Sequence, residues 1–133
     1  GFPFTVGVSG PQLNNGAGSN RANLVGNWDL GGQATRDRWF DTSAFTAPPN
    51  YVWGAQGKNL LRTPGLAQLD FSFQKTFTIT ERKRLTLRME SQNFFNRVQL
   101  GAPAATLGAP NFGAIRSLQA GPRNIQLVGR FDF

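Results

Sequence analysis

The chain has 133 residues, a normal size for one domain, but it carries 16 Gly, 8 Pro and 12 Phe against a single Tyr, with only 39% hydrophobic residues. It contains no Cys and no His, which excludes disulfides, Cys- or His-based zinc and haem sites, and Cys–His or Ser–His–Asp nucleophilic centres. The formal net charge is +7, from 14 Lys+Arg against 7 Asp+Glu; only Arg82, Lys83 and Arg84 cluster, and the remaining cations are scattered singly, which argues against a nucleic-acid footprint.

The large side chains gather in a few short segments, the profile of short strands joined by long loops. Residues 1–8 (GFPFTVGV) alternate Phe2, Phe4, Val6 and Val8 and form the first expected strand, with Pro3 fitting a strand end or edge. Residues 9–66 read as one long loop region. It starts with a stretch from Gly10 to Asn20 that holds almost no large apolar side chain, and Asn-Asn-Gly, Gly-Gly, Pro-Pro-Asn and Thr-Pro-Gly punctuate it. Trp28, Trp39, Phe40, Phe45, Tyr51 and Trp53 also lie in it, a density that points to a loop folded on itself or packed on a neighbour.

Residues 67–79 (AQLDFSFQKTFTI) carry the clearest pattern. Leu69, Phe71, Phe73, Phe77 and Ile79 fall on one face and Asp70, Ser72, Gln74, Thr76 and Thr78 on the other, the period of a strand with an apolar and a polar side. A short polar turn is expected at 80–84. The alternation resumes over 85–95, with Leu85, Leu87 and Met89 opposite Thr86, Arg88 and Glu90, so the two segments form an antiparallel hairpin. Residues 96–122 read as a second long loop, rich in Gly, Ala and Pro. Over 123–133 (RNIQLVGRFDF), Ile125, Leu127, Gly129, Phe131 and Phe133 share one face.

These features define an all-β class: antiparallel strands with long loops, a segment of a large transmembrane β-barrel. The strands have about the 9–11 residues that a tilted membrane strand needs, and the connections alternate long, short, long, as in barrels with periplasmic turns and extracellular loops. Lys75 interrupts the apolar face; its position in the sequence places it near the short turn, where it would snorkel to the interface. About four strand segments are too few to close a barrel, whose smallest members have about eight, and open edges are not tolerated in lipid. No signal-peptide pattern opens the chain and Gly1 begins within an alternation, so the chain is expected to begin inside a longer protein.

Seven segments, in order, resemble TonB-dependent outer-membrane receptors, and among them the Oar-like subgroup with a carboxypeptidase-regulatory-like domain. They are RANLVGN (Arg21 to Asn27), DRWFDTSAF (Asp37 to Phe45), GKNLLRTPG (Gly57 to Gly65), LDFSFQKTF (Leu69 to Phe77), LTLRMESQNFFN (Leu85 to Asn96), APNFGAIRS (Ala109 to Ser117) and the ending Pro122 to Phe133. The resemblance implies a C-terminal barrel wall with extracellular loops, in the bacterial outer membrane, in a receptor that takes up a nutrient with energy delivered through TonB. It also implies partners: the rest of the barrel and the plug, outer-membrane lipid, and the barrel-assembly machinery, for which Phe131 and Phe133 resemble the terminal recognition signal. The plug and the TonB-contacting segment lie at the family's N-terminus and have no counterpart here.

The residues expected to face lipid or a core are Leu69, Phe71, Phe73, Phe77, Ile79, Leu85, Leu87, Met89, Ile125, Leu127, Phe131 and Phe133. Trp28, Trp39, Tyr51 and Trp53 are candidates for stacking on a ligand at the extracellular mouth, against the plainer reading of packing within the loop. Asp37 and Asp41 beside Trp39 and Phe40 read as solvated loop charges more than as a calcium or sugar site, and Asp70, Arg88 and Glu90 as an ion-pair ladder on the polar face. No constellation suits catalysis, so no enzyme activity, cofactor or metal is expected. Two other readings stand beside the receptor: a detached extracellular fragment that self-assembles through exposed β-edges into a homo-oligomer or filament, and a soluble β-sandwich binding module.

Overall fold

The structure, a computed structural model, describes residues 1–9 and 20–133. Residues 10–19, which make up most of the polar stretch at the start of the first loop, lie outside the described residues. The elements in chain order are β1 (Pro3–Phe4), β2 (Gly7–Val8), β3 (Asn20–Arg21), β4 (Asn23–Leu24), a single 3-10 turn (Thr42–Ala44), β5 (Phe45–Thr46), β6 (Leu61–Arg62), β7 (Phe71–Thr80), β8 (Lys83–Gln92), β9 (Thr106–Leu107) and β10 (Asn124–Asp132). The all-β class holds: among the described residues there is no α-helix. The chain divides into two compact units, a loop unit of Gly1–Leu66 with Leu100–Gln119 and a strand unit of Ala67–Gln99 with Ala120–Phe133.

The strand unit is one three-stranded sheet in the order β10-β8-β7, antiparallel throughout. Thr80 pairs with Lys83, so only Glu81 and Arg82 form the turn, tighter than the five residues expected. The hairpin gains this tightness from a bulge: Thr78 opposes Arg84 and Thr80 opposes Lys83, which leaves Ile79 as the extra residue. At the other end β7 starts at Phe71, so Leu69 stands outside the ladder, its carbonyl accepting from the Phe94 amide (2.8 Å). β8 stops at Gln92 rather than Phe95 because Asn93 turns the chain in a left-handed conformation (φ 50°). Asn93 is 3% exposed; its amide donates to Asp70 Oδ1 (2.9 Å) and its side chain donates to the carbonyls of Arg97 (2.9 Å) and Gly121 (3.2 Å). Phe133 lies one residue beyond β10.

The loop unit corrects one expectation. Residues 1–8 do not form one strand: β1 pairs with β6, whereas β2 sits between β3 and β9 in a separate sheet. The described parts of 9–66 fold on themselves, as their aromatic density suggests, and they do so together with Leu100–Gln119 of the second long segment. Pairs of two-residue strands are sufficient because a shared core supports them. Val6, Val8, Ala22, Phe40, Ala44, Phe45 and Leu61 are buried in one cluster, with Phe4, Trp28, Trp39, Leu60, Leu107 and Phe112 packed on it. Phe40 is its centre, with ring centroids 5.3 Å from Phe112, 5.5 Å from Phe45 and 6.0 Å from Phe4. Gly113 is the close approach that permits this: it has φ +80°, and a Cβ there would meet Thr42 Cγ2 at 2.6 Å.

Candidate functional site

The register of the strand unit decides which side chains share a face. Residues directly opposite in paired strands point the same way, so the apolar face consists of rows that cross all three strands. These rows are Phe73–Met89–Leu127, Lys75–Leu87–Gly129 and Phe77–Leu85–Phe131. The side chains are not covered: Phe73 is 56% exposed, Phe77 46%, Leu127 76% and Phe131 49%. Phe71, Leu87 and Ile125 are likewise exposed, while Leu85 and Met89 in the central strand are half-buried by their neighbours. Ile79 and Phe133 are exposed too, the first in the bulge and the second past the strand end.

The opposite face is polar, with rows Ser72–Glu90–Gln126, Gln74–Arg88–Val128, Thr76–Thr86–Arg130 and Thr78–Arg84–Asp132. Thr76 and Thr86 share a hydrogen bond across the hairpin (3.2 Å). The ion pairs here run along strands rather than across them: Arg88 with Glu90, and Arg130 Nε with Asp132 Oδ1 (2.8 Å). Asp70 takes no part in a ladder; it holds the strand end through Asn93 and Gln68 (2.9 Å each).

Two findings were hidden in the sequence. Phe94 and Phe95 follow β8 instead of ending it, and with Phe71 they form an aromatic group (centroids 5.7 Å and 5.5 Å). Phe131 and Phe133 stack at the opposite end of the sheet (6.1 Å, 28°). Aromatic residues thus flank the apolar band at both ends, as the girdles of membrane barrels do. The second finding concerns Lys75. It pairs with Leu87, midway along the ten residues of β7, not near the turn. At about 3.4 Å per residue and a tilt near 40°, it stands about 13 Å from the end of the strand.

In the loop unit the four aromatic candidates separate. Trp28 and Trp39 pack on the core, and Trp39 Nε1 donates to the Arg62 carbonyl (2.7 Å). Tyr51 and Trp53 stay outside, at 68% and 54% exposed, with Val52 at 50% between them. That tip is held from below: buried Asn20 donates Nδ2 to the Val52 carbonyl (2.7 Å) and accepts from the Gly54 amide (3.1 Å). Of the four candidates, Tyr51 and Trp53 are thus the exposed pair. Asp41 is structural, since it caps the 3-10 turn by accepting from the Ser43 amide (3.1 Å) and hydroxyl (2.8 Å) and pairs with Arg38 (2.8 Å). The Ser43 hydroxyl first, and then Arg38, hold its carboxyl below the ordinary aspartate range. Asp37 pairs with Arg116 (3.0 Å).

A sheet with strands of nine and ten residues, an uncovered apolar face and a polar reverse fits lipid on one side and a hydrated interior on the other. That arrangement defines the wall of a transmembrane β-barrel. Comparison with protein families agrees: the sequence matches the outer membrane beta barrel domain over residues 1–126, so the chain belongs to that family and its place is the bacterial outer membrane. Neither the curated proteins nor the solved structures contain a match.

Proposed function

We propose that this chain supplies wall strands and extracellular loops to a TonB-dependent uptake receptor of the Oar-like kind, with no enzymatic role. The observation that carries the reading is the continuous apolar face laid across β7, β8 and β10 by their register. Among the described residues the outer edges of β7 and β10 have no partner, and a barrel in lipid must close; further strands of the receptor would pair there. The chain enters β7 at the end of Phe71, Ser91 and Ile125, and the long connection from β8 to β10 leaves and returns at that same end, opposite the two-residue turn at Glu81 and Arg82. Barrels put their long loops outside and their short turns in the periplasm, so the loop unit is extracellular in this reading and Tyr51 and Trp53 are offered to incoming solute. Phe131 and Phe133 serve the assembly machinery.

The open edges also favour a second reading, in which copies of the chain pair edge to edge into a filament. Peptide mapping with intact mass on native material separates the two. The receptor reading expects these peptides on a chain several times heavier that also carries a plug and a TonB-contacting segment. An intact species limited to these residues would overturn it and leave self-assembly.

A further inference from the structure

The loop unit contains a cleft of about 260 Å³ at the border of its core, floored by the core residue Val6 and by Asn20. Its lining includes Thr5, Gly7 of β2, Arg21 of β3, and the Lys58–Asn59 turn. Two cations therefore border one small space, and among the described residues no carboxylate lines it. The described ion pairs engage Arg38, Arg88, Arg116 and Arg130, and neither Arg21 nor Lys58 is among them. The frame is fixed. Arg21 Nη1 donates to the Gln56 carbonyl (2.9 Å), which anchors the guanidinium, and among the described residues no other acceptor takes its remaining N–H groups. The Asn59 amide donates to Thr5 Oγ1 (2.8 Å), with Asn59 in a left-handed conformation (φ 58°), so the turn that carries Lys58 is tied to the strand side. The Thr5 hydroxyl, accepting that bond, retains its own proton to donate.

We propose that this cleft binds a phosphate group. A phosphate monoester carries about −1.5 to −2 charges at pH 7 and presents three acceptor oxygens, which complements one guanidinium, one ammonium and a hydroxyl donor. The space is below the roughly 300–1,000 Å³ of pockets that enclose a whole drug-sized ligand. It therefore takes the phosphate end of a larger molecule and leaves the remainder outside. That molecule is either a soluble phosphate monoester or a lipid with an exposed phosphate. The assignment is independent of the uptake reading, since it concerns only the loop unit.

The test uses the full chain folded in detergent, with inorganic phosphate as the probe, followed by the phosphorus resonance of the ligand. Saturable binding is expected, and K58Q should weaken it at least about fivefold, since charge-assisted bonds are the strong ones. R21Q should do the same, but it also removes the anchor to Gln56; K58Q, on an exposed turn, keeps the result readable if R21Q fails to fold. The control R82Q/K83Q, in the strand unit, should bind as the unaltered chain does. Absence of saturation, or equal binding by K58Q, overturns the proposal. Competition by glucose 6-phosphate identifies a soluble monoester as a source. Lys58-dependent binding to phosphatidic acid vesicles, without such competition, identifies a lipid headgroup.

Discussion

The two units solve the same problem in opposite ways. The loop unit has strands of two residues and hides its apolar side chains in a core around Phe40, which is 1% exposed. The strand unit has strands of nine and ten residues and hides almost none, leaving Phe73, Leu127 and Phe131 open. Long strands with a bare apolar face are stable only where the surroundings are as apolar as the face. Short strands with a core are self-sufficient in water. The contrast fits lipid around the strand unit and water around the loop unit.

The largest effect is expected at the loop core. Phe40→Ala should cost about 3–5 kcal/mol, the usual penalty for emptying a large aromatic site. All three Trp residues, Trp28, Trp39 and Trp53, lie in the loop unit, so denaturation followed by Trp fluorescence reports on that unit alone. Next comes the cation in the strand unit. Lys75→Leu should stabilise the bilayer-inserted protein by about 2–4 kcal/mol, and Leu127→Lys should destabilise it by a similar amount, because both sites lie mid-strand on the apolar face. Equal stability of Lys75→Leu and the unaltered protein would show that lipid does not meet this face at that level.

Smaller effects divide the aromatic residues. Trp39→Phe removes the bond to the Arg62 carbonyl and should cost about 0.5–1.5 kcal/mol. Trp53→Ala, at an exposed tip, should change stability by less than about 0.5 kcal/mol. The smallest effect is a pH dependence. Asp41 binds its proton less readily folded than unfolded, so the stabilisation from its cap is complete above the ordinary aspartate pKa and is lost as pH falls through the lowered folded value. Asp41→Asn should flatten the acid side of the fluorescence-detected stability profile of the loop unit.

The strand unit was largely legible in the sequence because period two is written residue by residue, from Phe71 to Ile79 and from Ile125 to Phe131. What escaped were its ends. Leu69 and Phe95 continue the apolar pattern, but Asn93 turns the chain and Asp70 holds the corner, a tertiary arrangement that alternation does not encode. Lys75 belongs with these ends: over 67–79 it lies toward the turn, but β7 runs from Phe71 to Thr80, which puts it mid-strand. The loop unit was hardly legible. Its core gathers Val6, Ala22, Phe40 and Leu61 from distant segments, and two-residue strands leave no period to detect. Aromatic density gave the one signal that the loop folds on itself, and it could not separate Trp39, which packs, from Trp53, which does not.

Lipid contact on the apolar face is tested most directly by a spin-label scan along β10. The chain has no Cys, so single cysteines at Ile125, Gln126, Leu127 and Val128 can each carry a nitroxide in the bilayer-inserted protein. Collision with oxygen dissolved in the lipid should be high at Ile125 and Leu127 and low at Gln126 and Val128. Equal accessibility at all four positions, or preference for a water-soluble relaxant at Leu127, would contradict a lipid-facing wall.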